Sequence, residues 1–135
     1  MNKEMLVEAA KVAMMKAYAP YSGFFVGAAL LCRDGKVYSG ANVENSSYGV
    51  TSCAERTALF SAVFEGERDF EAIAIVGGKG GEITDLCAPC GICRQALCEF
   101  CSPDMNIYLY DGKEIKQFTL GELLPQGFRF DLLKN

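Results

Sequence analysis

Two short cysteine motifs constrain this chain more than any other feature of its sequence. The first is Cys53-Ala54-Glu55, and the second is Pro89-Cys90-Gly91-Ile92-Cys93. The chain of 135 residues contains no histidine, so a catalytic metal site built here must use thiolates. Three cysteine ligands leave a fourth position open for water on a zinc ion, which is typical of catalytic rather than structural zinc sites. The fold must therefore bring residue 53 close to residues 90 and 93.

Both motifs lie where helices are predicted to begin. One helix is predicted from about residue 53 to 64 and another from about 90 to 101, with Pro89 at a position where a helix start tolerates proline. The unpaired N–H groups and positive dipole of a helix start favour thiolates over thiols. Three thiolates leave a zinc ion with net negative charge, which weakens its ability to acidify water. We predict that Arg56, on the same helix face as Cys53, donates hydrogen bonds to the thiolates.

Glu55 is predicted to be the group that moves protons in this site. An alternative is that Ser52 and Glu55 form a capping box, in which the carboxylate only bonds back to the start of the helix. The nearby cysteines favour the catalytic interpretation. Ser52 is still expected to cap the helix.

The other cysteines are predicted to have different roles. Cys87 extends the second motif toward an iron–sulfur spacing, but Leu97 stands where a fourth cysteine would be expected. Cys32, Cys98 and Cys101 are expected to be buried small apolar residues. Cys87 is kept as an alternative zinc ligand.

Composition narrows the class of protein. The length suits one domain, 1–135, and the formal net charge of −4 with scattered basic residues argues against binding a nucleic acid polymer. The longest apolar run, 24–32, is too short to span a membrane. With no secretory signal, seven cysteines indicate metal binding or catalysis in the cytosol rather than disulfides.

The pattern of apolar residues predicts an α/β fold: a three-layer α/β/α sandwich with a mixed, roughly five-stranded sheet. A first helix is predicted over 4–18, with an apolar face at Met5, Ala9, Val12, Ala13 and Ala17. The predicted strands are 26–33, 36–41, 70–77, 106–110 and 115–118. A glycine-rich loop is expected at 77–81, Thr119 is expected to cap a short last helix, and the later strands are expected to be parallel.

The chain resembles the cytidine deaminases, specifically their small homotetrameric branch with all-cysteine zinc sites. The similarity runs over nearly the whole length, and the combination of motifs is highly specific. The matching segments are YSGFFVGAA at 21–29, NVEN at 42–45, CAERTA at 53–58, PCGICRQ at 89–95 and LLP at 123–125.

The resemblance implies hydrolytic deamination of free cytidine and 2′-deoxycytidine to uridine and 2′-deoxyuridine, with release of ammonia, as in pyrimidine salvage. It implies one zinc per subunit, held by Cys53, Cys90 and Cys93, that activates the water attacking C4 of the base. Glu55 then carries protons from the water to N3 and to the departing ammonia.

The resemblance also implies the substrate contacts. Asn42 and Glu44 match the ribose-binding pair, and alternate residues of a strand point to the same side. A carboxylate there would favour nucleosides over nucleotides. From sequence alone these two could equally be polar loop residues.

Further contacts are implied for the base and between subunits. The backbone of Ala54 would hold the base edge, and Phe24 would pack against the base. Phe128 would enter the site of a neighbouring subunit, and Tyr48 would lie at a subunit boundary.

Three rival functions follow from the same residues. One is a related aminohydrolase such as a blasticidin-type deaminase, which the ribose-like segment 42–45 disfavours. A polynucleotide deaminase is disfavoured by the acidic charge balance. A non-catalytic zinc-binding module would need a fourth protein ligand, for which Cys87 is the candidate.

Overall fold

A mixed five-stranded sheet forms the centre of the fold in the computed structural model, which describes residues 1–129. The strands are β1 (Phe24–Cys32), β2 (Val37–Ala41), β3 (Phe70–Lys79), β4 (Asn106–Tyr110) and β5 (Ile115–Thr119). The helices are α1 (Lys3–Met14), α2 (Ala54–Phe64), α3 (Gly91–Phe100) and α4 (Leu120–Leu123). The spatial order is β2-β1-β3-β4-β5; β3 and β4 are parallel, and the other neighbours are antiparallel.

Helices cover both faces of the sheet. Successive residues of a strand point to opposite faces, and in β1 Leu30 packs in the layer of α2 and α3 whereas Leu31 packs in the layer of α1. β3 divides in the same way, with Ile75 on the α2–α3 side and Val76 on the α1 side. The predicted three-layer α/β/α sandwich with a mixed five-stranded sheet is therefore confirmed. No helix within residues 1–129 is long and apolar enough to cross a membrane.

The predicted apolar face of α1 is wrong. Of the predicted positions, Met5 and Val12 are exposed, and only Ala13 is among the residues that α1 buries. The buried face instead comprises Leu6, Val7, Ala10, Ala13 and Met14. In an alanine-rich helix several faces look equally apolar, and the larger side chains decide which one packs on the sheet. The helix also ends at Met14 rather than at residue 18.

The predicted glycine loop at 77–81 is largely strand. β3 continues to Lys79 because its last residues pair with the first residues of β1, and only Gly80 and Gly81 turn the chain, with positive φ. Gly77 is needed for close packing: a Cβ there would lie 2.8 Å from Cys87 Sγ and 3.1 Å from a ring carbon of Phe24. The strand therefore brings Phe24 and Cys87 together above a residue without a side chain.

The last part of the described chain differs from expectation in one respect. β5 returns antiparallel to β4 through a tight turn, so the parallel arrangement is confined to β3 and β4. Thr119 caps α4 as predicted. Its side chain accepts a hydrogen bond from the Glu122 N–H, and the Glu122 carboxylate accepts one from the Thr119 N–H.

Candidate active site

The two cysteine motifs meet at the starts of α2 and α3, which pack on the same face of the sheet. Cys53 is the N-cap residue of α2 and Cys90 is the N-cap residue of α3, and neither side chain caps its helix by a hydrogen bond. Cys93 lies in the first turn of α3. Helix starts carry unpaired N–H groups and a partial positive charge, so both helices stabilise negative charge on these sulfurs.

The three sulfurs have the spacing of a metal site. The Sγ atoms of Cys53, Cys90 and Cys93 all lie within 4.8 Å of one another, and those of Cys53 and Cys90 are 3.7 Å apart. A disulfide would require about 2 Å, whereas a tetrahedral zinc ion with Zn–S bonds of about 2.3 Å separates two sulfurs by about 3.8 Å. The donor set therefore fits zinc, with three protein ligands.

Arg56 lies beside the sulfur of Cys53. Its Nη2 is 3.5 Å from Cys53 Sγ and donates to the Thr51 carbonyl at 3.2 Å. The hydrogen bond with Cys93 is the main cause that lowers the pKa of the Cys53 thiol to about 5, and the hydrogen bond from Arg56 lowers it further, although burial opposes both. The pKa of Cys93 is raised in turn, because it shares its proton with Cys53 and is buried. The Cys53 thiol is thus more acidic than the Cys93 thiol, and it lies next to the guanidinium.

Glu55 is buried in the first turn of α2, with 4% of its surface exposed. Burial raises the pKa of its carboxyl to about 6, and within residues 1–129 no cation lies at salt-bridge distance from it. A carboxyl with a pKa near neutral can both accept and return a proton.

The predicted helix cap at Ser52 is wrong. Cys53 occupies the N-cap position, and the Ser52 hydroxyl instead contacts Thr57 Oγ1 at 3.1 Å and the Cys53 carbonyl at 3.4 Å. The helix starts one residue later than the capping pattern requires. Glu55 therefore has no partner in a capping box.

The remaining cysteines lie apart from the three-sulfur group. Cys87 Sγ is not part of the group within 4.8 Å, and it packs over Gly77. Burial raises the pKa of Cys87 to about 12, so it is a neutral thiol. Cys32, Cys98 and Cys101 are buried, as predicted.

Asn42 and Glu44 lie just beyond the end of β2, not within the strand. The Asn42 side chain spans to β1: its Oδ1 accepts from the Val26 N–H at 2.9 Å, and its Nδ2 donates to the Phe24 carbonyl at 2.8 Å. Asn42 therefore fixes the backbone on both sides of residue 25. The side-chain amide of Asn42 thus connects the predicted sugar-binding residues with Phe24, which is predicted to pack against the base.

Glu44 is held by the loop before β1. Its carboxylate accepts hydrogen bonds from the backbone of Tyr21 at 2.9 Å and of Ser22 at 3.1 Å, and from the Ser22 hydroxyl. The Ser22 hydroxyl contributes most to lowering the pKa of Glu44 below its usual range. Glu44 lines a cleft of about 230 Å³ together with Tyr21, Asn45, Tyr48 and Thr51.

The three aromatic residues predicted to contact substrate or a neighbouring subunit differ in their exposure and in their position in the fold. Phe24 is half-exposed at the start of β1, beside Gly77. Tyr48 is exposed in a short 3₁₀ turn, Tyr48–Val50. Phe128 is 71% exposed, and no hydrogen bond within residues 1–129 joins it to Cys53, Cys90 or Cys93 of its own chain. Ala54 is fully buried in the first turn of α2, where only its backbone can serve a ligand.

Arg94 and Gln95, the two polar residues that follow the second motif, were not assigned a role from sequence. Arg94 donates to the carbonyls of Pro89 and Leu123, both at 2.7 Å. Gln95 donates to the carbonyl of Phe128 at 2.6 Å. The sequence feature that could have pointed to them is their position in the segment PCGICRQ, directly after the candidate ligand Cys93.

Comparisons with known proteins agree with this geometry. Residues 1–109 match the family model described as the cytidine and deoxycytidylate deaminase zinc-binding region. The cytidine deaminase of Sporosarcina psychrophila is 48% identical over 129 residues, which cover 95% of this chain and 92% of that protein. The crystal structure of cytidine deaminase from Burkholderia pseudomallei superposes with a TM-score of 0.88 at 50% identity, covering 95% of this chain and 100% of that one.

A weaker similarity bears on one rival. The blasticidin-S deaminase of Bacillus cereus is 32% identical over 104 residues, which cover 74% of each chain. The resemblance to the cytidine deaminases is confirmed, as is the prediction of a zinc-dependent hydrolytic deaminase. The chain belongs to the cytidine and deoxycytidylate deaminase family.

Proposed function

We propose that this chain hydrolyses free cytidine and 2′-deoxycytidine to uridine and 2′-deoxyuridine, with release of ammonia. The observation that carries the proposal is the group of three sulfurs within 4.8 Å of one another, at two helix starts, beside the buried carboxyl of Glu55. The relatives that match nearly the whole chain are named cytidine deaminases.

Cys53, Cys90 and Cys93 are the proposed ligands of one zinc ion per subunit. When bound, zinc acidifies water and supplies a nucleophile near neutral pH. Arg56 offsets the charge of the thiolates by donating to Cys53, and the two helix starts add to this effect.

Glu55 is the proposed proton carrier. It accepts a proton from the water that attacks C4 of the base and delivers it to N3. A C4–O bond forms, the C4–N bond breaks, and a second proton passes through Glu55 to the amino group that leaves as ammonia. A buried carboxyl whose pKa is about 6 suits both directions of transfer.

The nucleoside would be held by backbone and side-chain groups that the fold already orders. We assign the base edge to the Ala54 backbone, the base face to Phe24, and the sugar to Asn42 and Glu44. The ionised Glu44 carboxylate accepts bonds from sugar hydroxyls and repels a nearby phosphate, which favours nucleosides over nucleotides. Since Asn42 already bonds to the Phe24 backbone, base and sugar contacts are coupled.

We further propose a homotetramer with sites shared between subunits. Large apolar side chains are exposed in pairs at Tyr48 and Val50 and at Phe60 and Phe64, one turn apart on α2, and Phe128 is exposed as well. Exposed apolar residues that form one contiguous patch mark an interface, so these pairs support the proposal. Mixing Phe128→Ala and Glu55→Gln subunits tests the sharing. At a cytidine concentration below KM, mixed oligomers should be more active than the two parents measured separately, and no gain counts against Phe128 acting across the interface.

The remaining expectations concern cellular context. We propose that residues 1–135 act as one domain in the cytoplasm, without a membrane or a nucleic acid polymer as partner. The seven unpaired cysteines suit a reducing compartment, and the net charge of −4 disfavours polynucleotide binding.

The proposal is tested by comparing substrates. Purified protein should release ammonia from cytidine and deoxycytidine, with little turnover of cytidine monophosphate. Activity on blasticidin S without activity on either nucleoside would favour the related aminohydrolase. Bound zinc with no turnover of any of these compounds would favour a non-catalytic zinc module.

A further inference from the structure

The polar side of α3 anchors the segment that follows α4. The Arg94 guanidinium joins the Pro89 carbonyl, just before Cys90, to the Leu123 carbonyl at the end of α4. One turn of this helix therefore fixes both the loop that leads into the cysteine motif and the start of the C-terminal segment.

The contact of Gln95 lies further along that segment. Gln95 Nε2 donates to the Phe128 carbonyl at 2.6 Å, and the Cys98 thiol donates to the same oxygen at 3.6 Å. Both interactions use the backbone of Phe128 and leave its side chain free. The ring is 71% exposed although its backbone is held.

The chain before Phe128 is shaped to make this contact. Gln126 has φ of 59°, a left-handed conformation that residues other than glycine rarely adopt and that persists only where its surroundings hold it. Gly127 packs closely: a Cβ there would lie 2.7 Å from Leu124 and 3.3 Å from Cys98 Sγ. The turn and the packing together deliver the Phe128 carbonyl to Gln95.

We propose that Gln95 is a positioning residue for nucleoside binding, because it fixes the backbone of Phe128 and so presents the exposed ring to the site of a neighbouring subunit. The inference rests on the proposed function, in which Phe128 acts across the interface in the nucleoside site of a neighbouring subunit. Gln95 follows Cys93 by two residues on α3, so the helix that holds two ligands of one site also orients an aromatic for another.

Two variants separate hydrogen bonding from packing. Gln95→Ala removes the side chain, and Gln95→Glu keeps its volume but cannot donate to the carbonyl when ionised. Gln117→Ala is the matched control, since this exposed glutamine donates to Asn106 at the sheet edge at 3.0 Å. We expect both Gln95 variants to raise KM for cytidine roughly two- to tenfold, the effect of one net hydrogen bond. The zinc content should be unchanged and kcat should stay within about twofold.

A double mutant shows whether Gln95 acts through Phe128. In the Phe128→Ala background, Gln95→Ala should raise KM no further, because the ring that it positions is gone. Multiplicative effects of the two substitutions on KM, or an unchanged KM in both Gln95 single variants, would overturn the positioning role.

Hydrogen exchange measures the anchoring without relying on activity. Peptides covering residues 125–129 should exchange faster in Gln95→Ala and Gln95→Glu than in wild type, and at the wild-type rate in Gln117→Ala. Unchanged exchange in the Gln95 variants would overturn the anchoring itself. Wild-type protein that forms no uridine would overturn the proposed function instead, and the exchange rates would still decide whether Gln95 holds the segment.

Discussion

Replacing Arg56 should weaken zinc binding much more than it changes the stability of the fold. Arg56 Nη2 is shared between Cys53 Sγ and the Thr51 carbonyl. A hydrogen bond to a charged group contributes about 1.5–3 kcal/mol, which corresponds to roughly a 10- to 150-fold change in an equilibrium constant. We therefore expect Arg56→Ala to weaken zinc binding by about 10- to 100-fold, the range found for groups that orient metal ligands.

The effect of Arg56→Ala on folding should be smaller than its effect on zinc. Arg56 Nε is buried and has no hydrogen-bond partner within residues 1–129, and an unsatisfied buried donor costs about 1–3 kcal/mol. Removing the guanidinium removes that cost along with the two favourable contacts. The free energy of unfolding of the metal-free protein should thus change little.

The assay is competition for zinc against a chromogenic chelator, paired with urea unfolding of the metal-free protein. Arg68→Ala is the control, because Arg68 Nη1 is exposed and donates to the carbonyls of Val63 and Glu67, away from the cysteines. Zinc affinity equal to wild type in Arg56→Ala, with full activity, would refute the role of the guanidinium. Equal weakening in Arg68→Ala would show that the effect is not local.

Cys87, Asn42 and Ser22 each allow a substitution with its own expected result. Cys87→Ala should keep its zinc, since this sulfur lies outside the three-sulfur group; metal loss as ready as in Cys90→Ala would contradict the open site. Asn42→Ala loses two hydrogen bonds to β1 and should lower the free energy of unfolding in urea by about 1–3 kcal/mol while raising KM; unchanged values for both would contradict its dual role. Ser22→Ala removes the main cause of the lowered pKa of Glu44. The pKa of Glu44, measured by carboxyl ¹³C titration, should therefore rise toward 4.5 in this variant. Because the pKa is lowered in the fold, the stability that Glu44 contributes is present above about pH 4.5 and is lost as the pH falls through the folded-state value.

The metal site could be predicted from the sequence because the motifs that form it are short and local. Each cysteine motif stands at the start of a helix, and ligand spacing within one helical turn requires only chain geometry. The meeting of Cys53 with Cys90 needed one more step, the packing of two helices on the same face of a sheet. That packing is not a local feature, and it was expected because three cysteines must meet to hold one zinc ion, not because of the pattern of the strands.

Other features depend on contacts that no local pattern contains. Gly77 lies in a strand rather than a loop because β1 extends far enough to pair with it. Ser52 does not cap α2 because the helix starts after Cys53, a shift of one residue that the capping pattern does not resolve. The bond from Gln95 to Phe128 depends on the left-handed turn at Gln126, which the sequence there does not signal.

The most direct test of the account measures zinc content and cytidine-to-uridine conversion, followed by absorbance, in wild type, Glu55→Gln and Cys53→Ala. We expect about one zinc per wild-type chain, together with conversion of cytidine. Glu55→Gln should retain its zinc and lose roughly 10²- to 10⁴-fold in rate, and Cys53→Ala should lose both metal and activity. Wild-type turnover without zinc would rule out the three-cysteine zinc site as the catalytic centre. A zinc-loaded Glu55→Gln protein that converts cytidine at the wild-type rate would rule out Glu55 as the proton carrier.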